Sequence, residues 1–427
     1  MIEDRPSTPL PNAAPAREGG ARHLLMARIV EQGALGLGSL LLARRLGIDG
    51  FAALSAVFVF NSFAVLASDF GLGLAVLRAP LGSVGLRTLH HLRWANVGVV
   101  VATGLVGLLL GDETGLLVAS CGLIWLVSAE GYVRKSALLR MGRVKRVAVI
   151  ETIGAVLFAV LIVVAWWQAE YAPLFAAGAF LAMHAAGVVL SGGWRSAFGP
   201  NPPDRDVLFL WMTQLLAYGS ANVDFIVVGV LISAGAFSVY SLGFRVAAVV
   251  TAQVSYAAHR LMVVDFGEAD DSPDHQRVYD RRMKQLFPVG LGACVLTIAI
   301  APVLPLLLGD EWRPVTGVVV VLSIAVPWRT VLGVSGALAM GASRTRVLLA
   351  WEVVRLLVTA GVLVAAAVVS FSAFVAAAAA TSILTTYALH RALCAGTSVR
   401  IPRWFALATV LAAPLSLFLA TLIDLTP

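Results

Sequence analysis

Ten charged side chains interrupt stretches that are otherwise apolar: Arg28, Glu31, Asp69, Glu130, Glu151, Asp224, Arg245, Arg329, Glu352 and Arg355. In a hydrocarbon environment each costs about 2.5 to 3.5 kcal/mol on insertion scales, so each has to face a partner or a polar cavity. A guanidinium offers a planar fork of donors that matches phosphate or carboxylate oxygens, whereas a carboxylate binds a cation or carries a proton. Arg28, Glu31 and Gln32 stand at i, i+3 and i+4, hence on one helix face. They form either a local ion pair or a vestibule where Arg28 meets an anionic head group. Glu352 and Arg355 share the i, i+3 spacing and read as a structural pair.

Arg245 has no charged residue three or four positions away, so it needs a partner from another helix or a polar cavity; Asp224 is the first candidate partner. In "AVPWRTVLG" (325–333) Pro327 frees a carbonyl and is expected to kink its helix beside Arg329, which suits a gate or a binding element. "LASDFGLGLAVLRAP" (66–80) sets Asp69 against Gly71 and Gly73. It reads as a hinge-like segment, with Asp69 turned toward Arg28 or toward cavity water. His184, alone in its apolar run, reads as one end of an interhelical hydrogen bond.

No H-E-x-x-H, G-x-S-x-G or Walker-type stretch accompanies these charges, so neither a hydrolytic site nor an ATP motor is visible and no cofactor is called for. Cys121, Cys294 and Cys394 lie in or beside apolar stretches without CxxC or Cys/His spacing, which points to packing and to no metal site. The chain of 427 residues is 59% hydrophobic and 13% charged. Its mean hydropathy is +0.89, which excludes an ordinary soluble protein. A net charge of +7 could suggest nucleic acid, but a membrane chain that keeps Lys and Arg on cytoplasmic loops acquires the same surplus, so no nucleic-acid partner is expected. "MIEDRPSTPLPNAAPAREGG" has no apolar core and reads as a disordered cytoplasmic tail without a signal peptide.

The elements that must hold these residues are transmembrane helices, since a lipid-exposed backbone has to satisfy its own hydrogen bonds. Thirteen stretches of about twenty apolar residues are long enough to cross about 30 Å of hydrocarbon. They cover 24–43, 50–76, 91–111, 115–135, 147–167, 171–191, 207–231, 234–258, 286–308, 314–335, 346–368, 371–392 and 404–423. With the amino terminus in the cytoplasm, only Arg44, Arg45 and Arg313 fall in outer loops, while "RKSALLRMGRVKR" (134–146) and "HQRVYDRRMK" (275–284) fall inside. The odd count places the carboxyl terminus outside. Trp166, Trp167, Trp312 and Trp404 near span ends suit an interfacial belt, whereas Trp328 lies deeper.

"IDGFAALS" (48–55) falls on "AGAFSVYS" (234–241), matching Phe51 with Phe237 and Ser55 with Ser241. Six spans separate the copies, so the repeat is parallel, about an axis along the membrane normal. The expectation is an all-α polytopic membrane protein, with two parallel-repeated six-helix bundles around a central cavity plus a carboxyl-terminal helix. Its divisions are a tail (1–21), an N-terminal bundle (22–195), a cytoplasmic linker (196–206), a C-terminal bundle (207–392) and a loop with the additional helix (393–427). Such a pair of bundles is the chassis of an alternating-access transporter.

Several stretches, in order, resemble a known family. "LLARRLGIDGFAALSAVF" (41–58) and "SDFGLGLAVLRA" (68–79) resemble the opening helix pair of polysaccharide flippases in the multidrug/oligosaccharidyl-lipid/polysaccharide exporter superfamily. "NVDFIVVGVLISAGAFSVYSLGFRVA" (222–247) looks like that family's turn between helices 7 and 8, with Asp224, Tyr240 and Arg245 in place. "LLLGDEWRP" (306–314) and "LGVSGALAMGASRTR" (332–346) resemble its stretches around helices 9 to 11.

The resemblance implies a flippase of the inner, cytoplasmic membrane that moves an undecaprenyl-pyrophosphate-linked oligosaccharide to the outer leaflet by rocking two bundles. It implies a cation-lined cavity, for which Arg28, Arg245 and Arg329 are the substrate-binding candidates. It also implies a proton or sodium gradient as the drive, with Glu31, Asp69 and Asp224 as cavity or coupling acids, and association with polysaccharide polymerase machinery. A cation-coupled multidrug exporter of the same superfamily is the alternative within transport, although its apolar cavity would carry carboxylates rather than arginines. A membrane glycan polymerase or ligase is the alternative enzyme, although no large outer loop is present to hold its chemistry.

Overall fold

The computed structural model describes residues 14–78, 85–199, 206–267, 272–341, 344–395 and 399–423. Its elements are α1 (Ala14–Ala67), α2 (Leu72–Arg78), α3 (Leu86–Leu110), α4 (Glu113–Arg140), α5 (Val144–Trp167), α6 (Ala172–Val189), α7 (Asp206–Leu231) and α8 (Ala234–Gly267). They continue with α9 (Ser272–Ile300), α10 (Leu304–Leu308), α11 (Arg313–Ser323), α12 (Val326–Gly341), α13 (Thr345–Val369), α14 (Phe371–Cys394) and α15 (Arg403–Leu422).

Ten helices are long and apolar enough to cross a bilayer. The first of them is two crossings joined at Gly47, whose φ of 70° takes it out of the helical region. The bent pair α11–α12 and the 34-residue α8 bring the crossings among the described residues to thirteen. The repeat is visible in the joints. Gly47 precedes Phe51 by four residues as Ser233 precedes Phe237, and the turn between α7 and α8 falls at Ile232 and Ser233.

Two helix boundaries differ from the expected ones. The tail expected over 1–21 is helical from Ala14 and extends the first crossing, with the good helix formers Ala and Arg making up half of "APAREGGARH"; residues 1–13 lie outside the described residues. The crossing expected over 50–76 ends at Ala67. A tight turn follows, with Phe70 at φ 48° and Gly71 at φ 76°, and then the short α2. Asp69 causes the break, since its carboxylate accepts from the backbone N–H groups of Gly71 and Gly73 and competes with the helical ladder. α2 then packs into a separate cluster in which Leu72, Ala75 and Val76 meet Leu89, Val133 and Trp194.

One set of helices packs as α1 with α5, α5 with α6, and α4 with α3 and α6; a second packs as α7 with α13, α12 with α8 and α9, and α14 with α13 and α15. Lipid gives no hydrophobic drive to such contacts, so small residues let backbones approach. Gly131 lies against the His184 carbonyl, and a side chain at Gly290 would meet Pro327 and Thr330. His184 Nε2 also meets Asn61 Oδ1 at 2.8 Å, the interhelical hydrogen bond expected of it.

The two sets meet where α1 runs beside α8 and α7. The termini of α4 and α5 that carry Arg140, Arg143, Lys145 and Arg146 mark one basic end of the molecule. At the opposite end Arg44 Nη1 donates to the Leu307 carbonyl at 3.0 Å, and the Glu311 carboxylate lies beside Gly47. There Phe51 and Trp312 are buried edge to face, with ring centroids 5.5 Å apart. Trp312 therefore does not belong to an interfacial belt. Its ring fills the seam between the bundles, while Trp166, Trp167 and Trp404 keep exposed faces. A double-mutant cycle of Phe51→Leu and Trp312→Leu, read by reversible unfolding in mixed micelles, is expected to show a coupling of about 0.5 to 1.5 kcal/mol. Strict additivity would contradict the packed seam.

Candidate functional site: two cavities flanking Phe244

Arg245 lies about three turns into α8 and reaches across the seam. Nη1 donates to Ser39 Oγ at 3.3 Å, and Nη2 donates to the Ser55 carbonyl and to Ser241 Oγ, both at 3.4 Å. Its guanidinium carbon stands 4.0 Å from the Phe58 ring centroid. Ser39 and Ser55 come from the two arms of α1, so this one side chain ties α8 to both. All its hydrogen-bond partners are neutral, the bonds are long, and among the described residues no carboxylate lies within ion-pair distance.

The expected partner, Asp224, is engaged elsewhere: Oδ1 accepts from the Phe225 N–H at 2.9 Å and Oδ2 from the Tyr240 hydroxyl. Of the two arrangements open to Arg245, the structure takes the cavity, whose wall is largely apolar. That cavity has a volume of about 500 Å³, with Gln32, Ser62, Tyr218 and Asn222 on its polar side and Leu296 and Ile300 on its apolar side.

Arg329 does not join Arg245. It faces a second cavity of about 330 Å³ between α7, α12, α13 and α14. Nε donates to Ser382 Oγ at 3.1 Å and the guanidinium carbon lies 4.6 Å from the Phe244 ring centroid. Phe244 and Asn222 line both cavities and form the wall between them. Pro327 does not kink a continuous helix. It stands in the first turn of α12 after a break of 44° from α11, where its missing N–H costs nothing. Arg355 and Glu352 form the expected pair at 3.0 Å, and Arg355 Nη2 also donates to the Ala217 carbonyl.

Arg28 lies at the basic end, apart from both cavities. It pairs with Glu31 at 2.9 Å and with Glu151 of α5, also at 2.9 Å, while Lys135 approaches Glu151 at 3.7 Å. The local pair is what forms, extended by an acid on another helix. Asp69 does not face Arg28. It is buried and caps α2 through Gly71 and Gly73, and a side chain at Gly73 would collide with the Tyr132 ring. The three arginines grouped by type thus stand in three places. Sequence reasoning missed Ser39, Ser55, Phe58 and Phe244. The match of Ser55 with Ser241 was a signal for two of the Arg245 partners, since both repeat positions reach the same guanidinium.

Asp69→Ala is expected to lower stability by about 1 kcal/mol through loss of the cap, and Asp69→Asn by less, in thermal unfolding of the purified protein. Transport lost in Asp69→Asn at unchanged stability would mark a coupling role instead.

A family profile described as polysaccharide biosynthesis protein matches residues 41–317. The lipopolysaccharide biosynthesis protein WzxC of Escherichia coli (strain K12) is 25% identical over 354 residues, which span 76% of this chain and 70% of that protein. An inward-facing multidrug resistance MATE family transporter of the MOP superfamily superposes with a TM-score of 0.64 at 14% identity, over 87% of this chain and 98% of that one. A MATE structure in complex with MaD5 gives 0.64 at 15% identity, over 92% and 96%. At such identities the likeness is one of fold.

Proposed function

Because the chain belongs to the polysaccharide biosynthesis protein family and has the fold of MOP-superfamily transporters, we propose that it flips a glycan linked to a lipid pyrophosphate, of the undecaprenyl type, across the cytoplasmic membrane. It is a multi-pass membrane transporter, not an enzyme. The observation that carries the substrate class is Arg245, a guanidinium at the seam between the bundles whose bonds are all long and to neutral acceptors. Phosphate oxygens satisfy such a fork far better than a hydroxyl or a carbonyl does. As the bundles separate, the contacts from Arg245 to Ser39 and Ser55 are the ones a diphosphate replaces. The apolar wall of the cavity at Leu296 and Ile300 suits the adjoining lipid chain.

In this reading the basic end faces the cytoplasm, as the positive-inside rule requires, and the amino terminus lies there with it. The carboxyl terminus follows on the other side, thirteen crossings later. A proton or sodium gradient drives the cycle. Asp224 is the acid we assign to that role, since it borders the second cavity and Asp69 borders neither of the two. The exported unit passes to polysaccharide polymerase machinery. A multidrug exporter is not favoured, since the charged residue that lines the cavity at the seam is an arginine, Arg245.

Translocation of lipid-linked oligosaccharide into vesicles by Arg245→Gln is expected to fall at least tenfold at normal expression. Arg245→Lys should recover only part of the activity, because a point charge lacks the fork. Normal transport by Arg245→Gln would sink the assignment. In a background free of native cysteines, a cysteine at position 112 should react with an impermeant maleimide from outside, and one at position 145 only after permeabilisation. The reverse pattern would invert the topology.

A further inference from the structure

We propose that Phe70 and Trp211 form the inner gate of the seam, a strained aromatic latch that parts each time the bundles open toward the basic end. The proposal rests on the reading of the chain as a transporter with rocking bundles, and it starts from the backbone. Phe70 is the one non-glycine residue with positive φ among the described residues, at 48°. Cβ sterics penalise that conformation in residues other than glycine, and positions 71 and 73 are glycine already. A phenylalanine kept in such a turn has to supply something that glycine would not.

What it supplies is a contact with the other bundle. The Phe70 ring lies 4.9 Å from that of Trp211, centroid to centroid, with the planes tilted by 31°. Trp211 Nε1 also donates to the Ala67 carbonyl at 3.1 Å. That carbonyl is available because of Asp69. In a continued helix it would accept from the Gly71 N–H, which here donates to Asp69 Oδ1 instead. The acid that ends the helix thus frees the acceptor that the C-terminal bundle takes. Trp211 stands two turns before Tyr218 in α7, and Ala67 and Phe70 follow Ser62 by five and eight residues. Tyr218 and Ser62 line the seam cavity, and α2, directly after the turn, packs on Val133 and Trp194 near the basic end. The latch therefore lies between that cavity and the basic surface.

A second aromatic pair, Phe51 with Trp312, closes the opposite end. The two pairs differ in strength. Phe51 and Trp312 are fully buried, whereas Phe70 and Trp211 are each partly exposed and Phe70 carries the backbone strain. With strain to release and less buried surface to lose, the inner pair parts first, so the empty protein opens toward its basic end.

The first test needs no glycan. In a full-length background free of native cysteines, spin labels at positions 145 and 212, exposed sites on different bundles, report the separation of the bundles by pulsed electron resonance in liposomes. A short, latched distance and a longer, open one are expected. Trp211→Leu should raise the open population at least about fivefold, since it removes both the ring contact and the hydrogen bond. Trp211→Phe keeps a ring and should raise it less, and Phe51→Leu at the other end should not raise it. A distribution in Trp211→Leu equal to that of the wild type overturns the proposal. Should Trp211→Leu fail to fold, cysteines at positions 70 and 211 joined by a short reducible linker decide. The linked protein should stop translocating lipid-linked oligosaccharide and resume on reduction; translocation through the intact link overturns the gate. Should the pair translocate no glycan in either state, the distances decide alone: an open population that the link abolishes and reduction restores supports the gate and counts against the flippase reading, and one that the link leaves in place overturns the gate.

Discussion

The structure turns on a charge in the middle of a membrane protein, Arg245, to which no carboxylate among the described residues comes within ion-pair distance. Arg245 cannot be left in hydrocarbon, and the fold answers by bringing three neutral oxygens and an aromatic face to it, two of those oxygens from the other bundle. The seam between the bundles is therefore polar where Arg245 crosses it and apolar where Phe51 meets Trp312 nearer the end opposite the basic surface. A seam of this kind can open, since the bonds that close it at its centre are long and exchangeable. Its aromatic part supplies the packing that Arg245 does not.

The remaining buried charges follow the same constraint with different solutions. Glu352 and Arg355 neutralise each other one turn apart, and Arg28 sits between Glu31 of its own helix and Glu151 of α5. Asp69 is held by backbone donors instead of a cation, and it ends a helix in doing so. Glu130 binds Arg93 and Arg134, which stack with Arg195 around Trp194 and tie α3, α4 and the turn after α6 together. Each of these groups meets an opposite charge or, for Asp69, backbone donors. The two arginines beside Phe244 are different, because each lines a cavity and has no carboxylate within ion-pair distance among the described residues.

Thirteen crossings, their order and the pairing of the repeats were legible in the sequence, because apolar length and hydropathy spacing depend on neighbours along the chain. The Glu352–Arg355 and Arg28–Glu31 pairs were legible for the same reason, since a spacing of three places both groups on one helix face. The break after Ala67 was half legible. Asp69, Gly71 and Gly73 announced that something happens there, but a carboxylate that caps the next short helix looks in sequence like one that faces a cavity.

The sequence by itself determined that this is an all-α membrane protein built of two related halves, because every apolar segment must close its own backbone hydrogen bonds in lipid. Only the tertiary structure decided which charges meet. Arg245 and Asp224 are paired on paper by sign and depth, yet Tyr240, one helix turn and one residue before Arg245, takes the acid and leaves the arginine to Ser39 and Ser55. Residues far apart in the chain are brought within hydrogen-bond reach by helix rotation and tilt. Those depend on packing of small residues such as Gly131 and Gly290 against neighbouring backbones, a property of surfaces that no local pattern records.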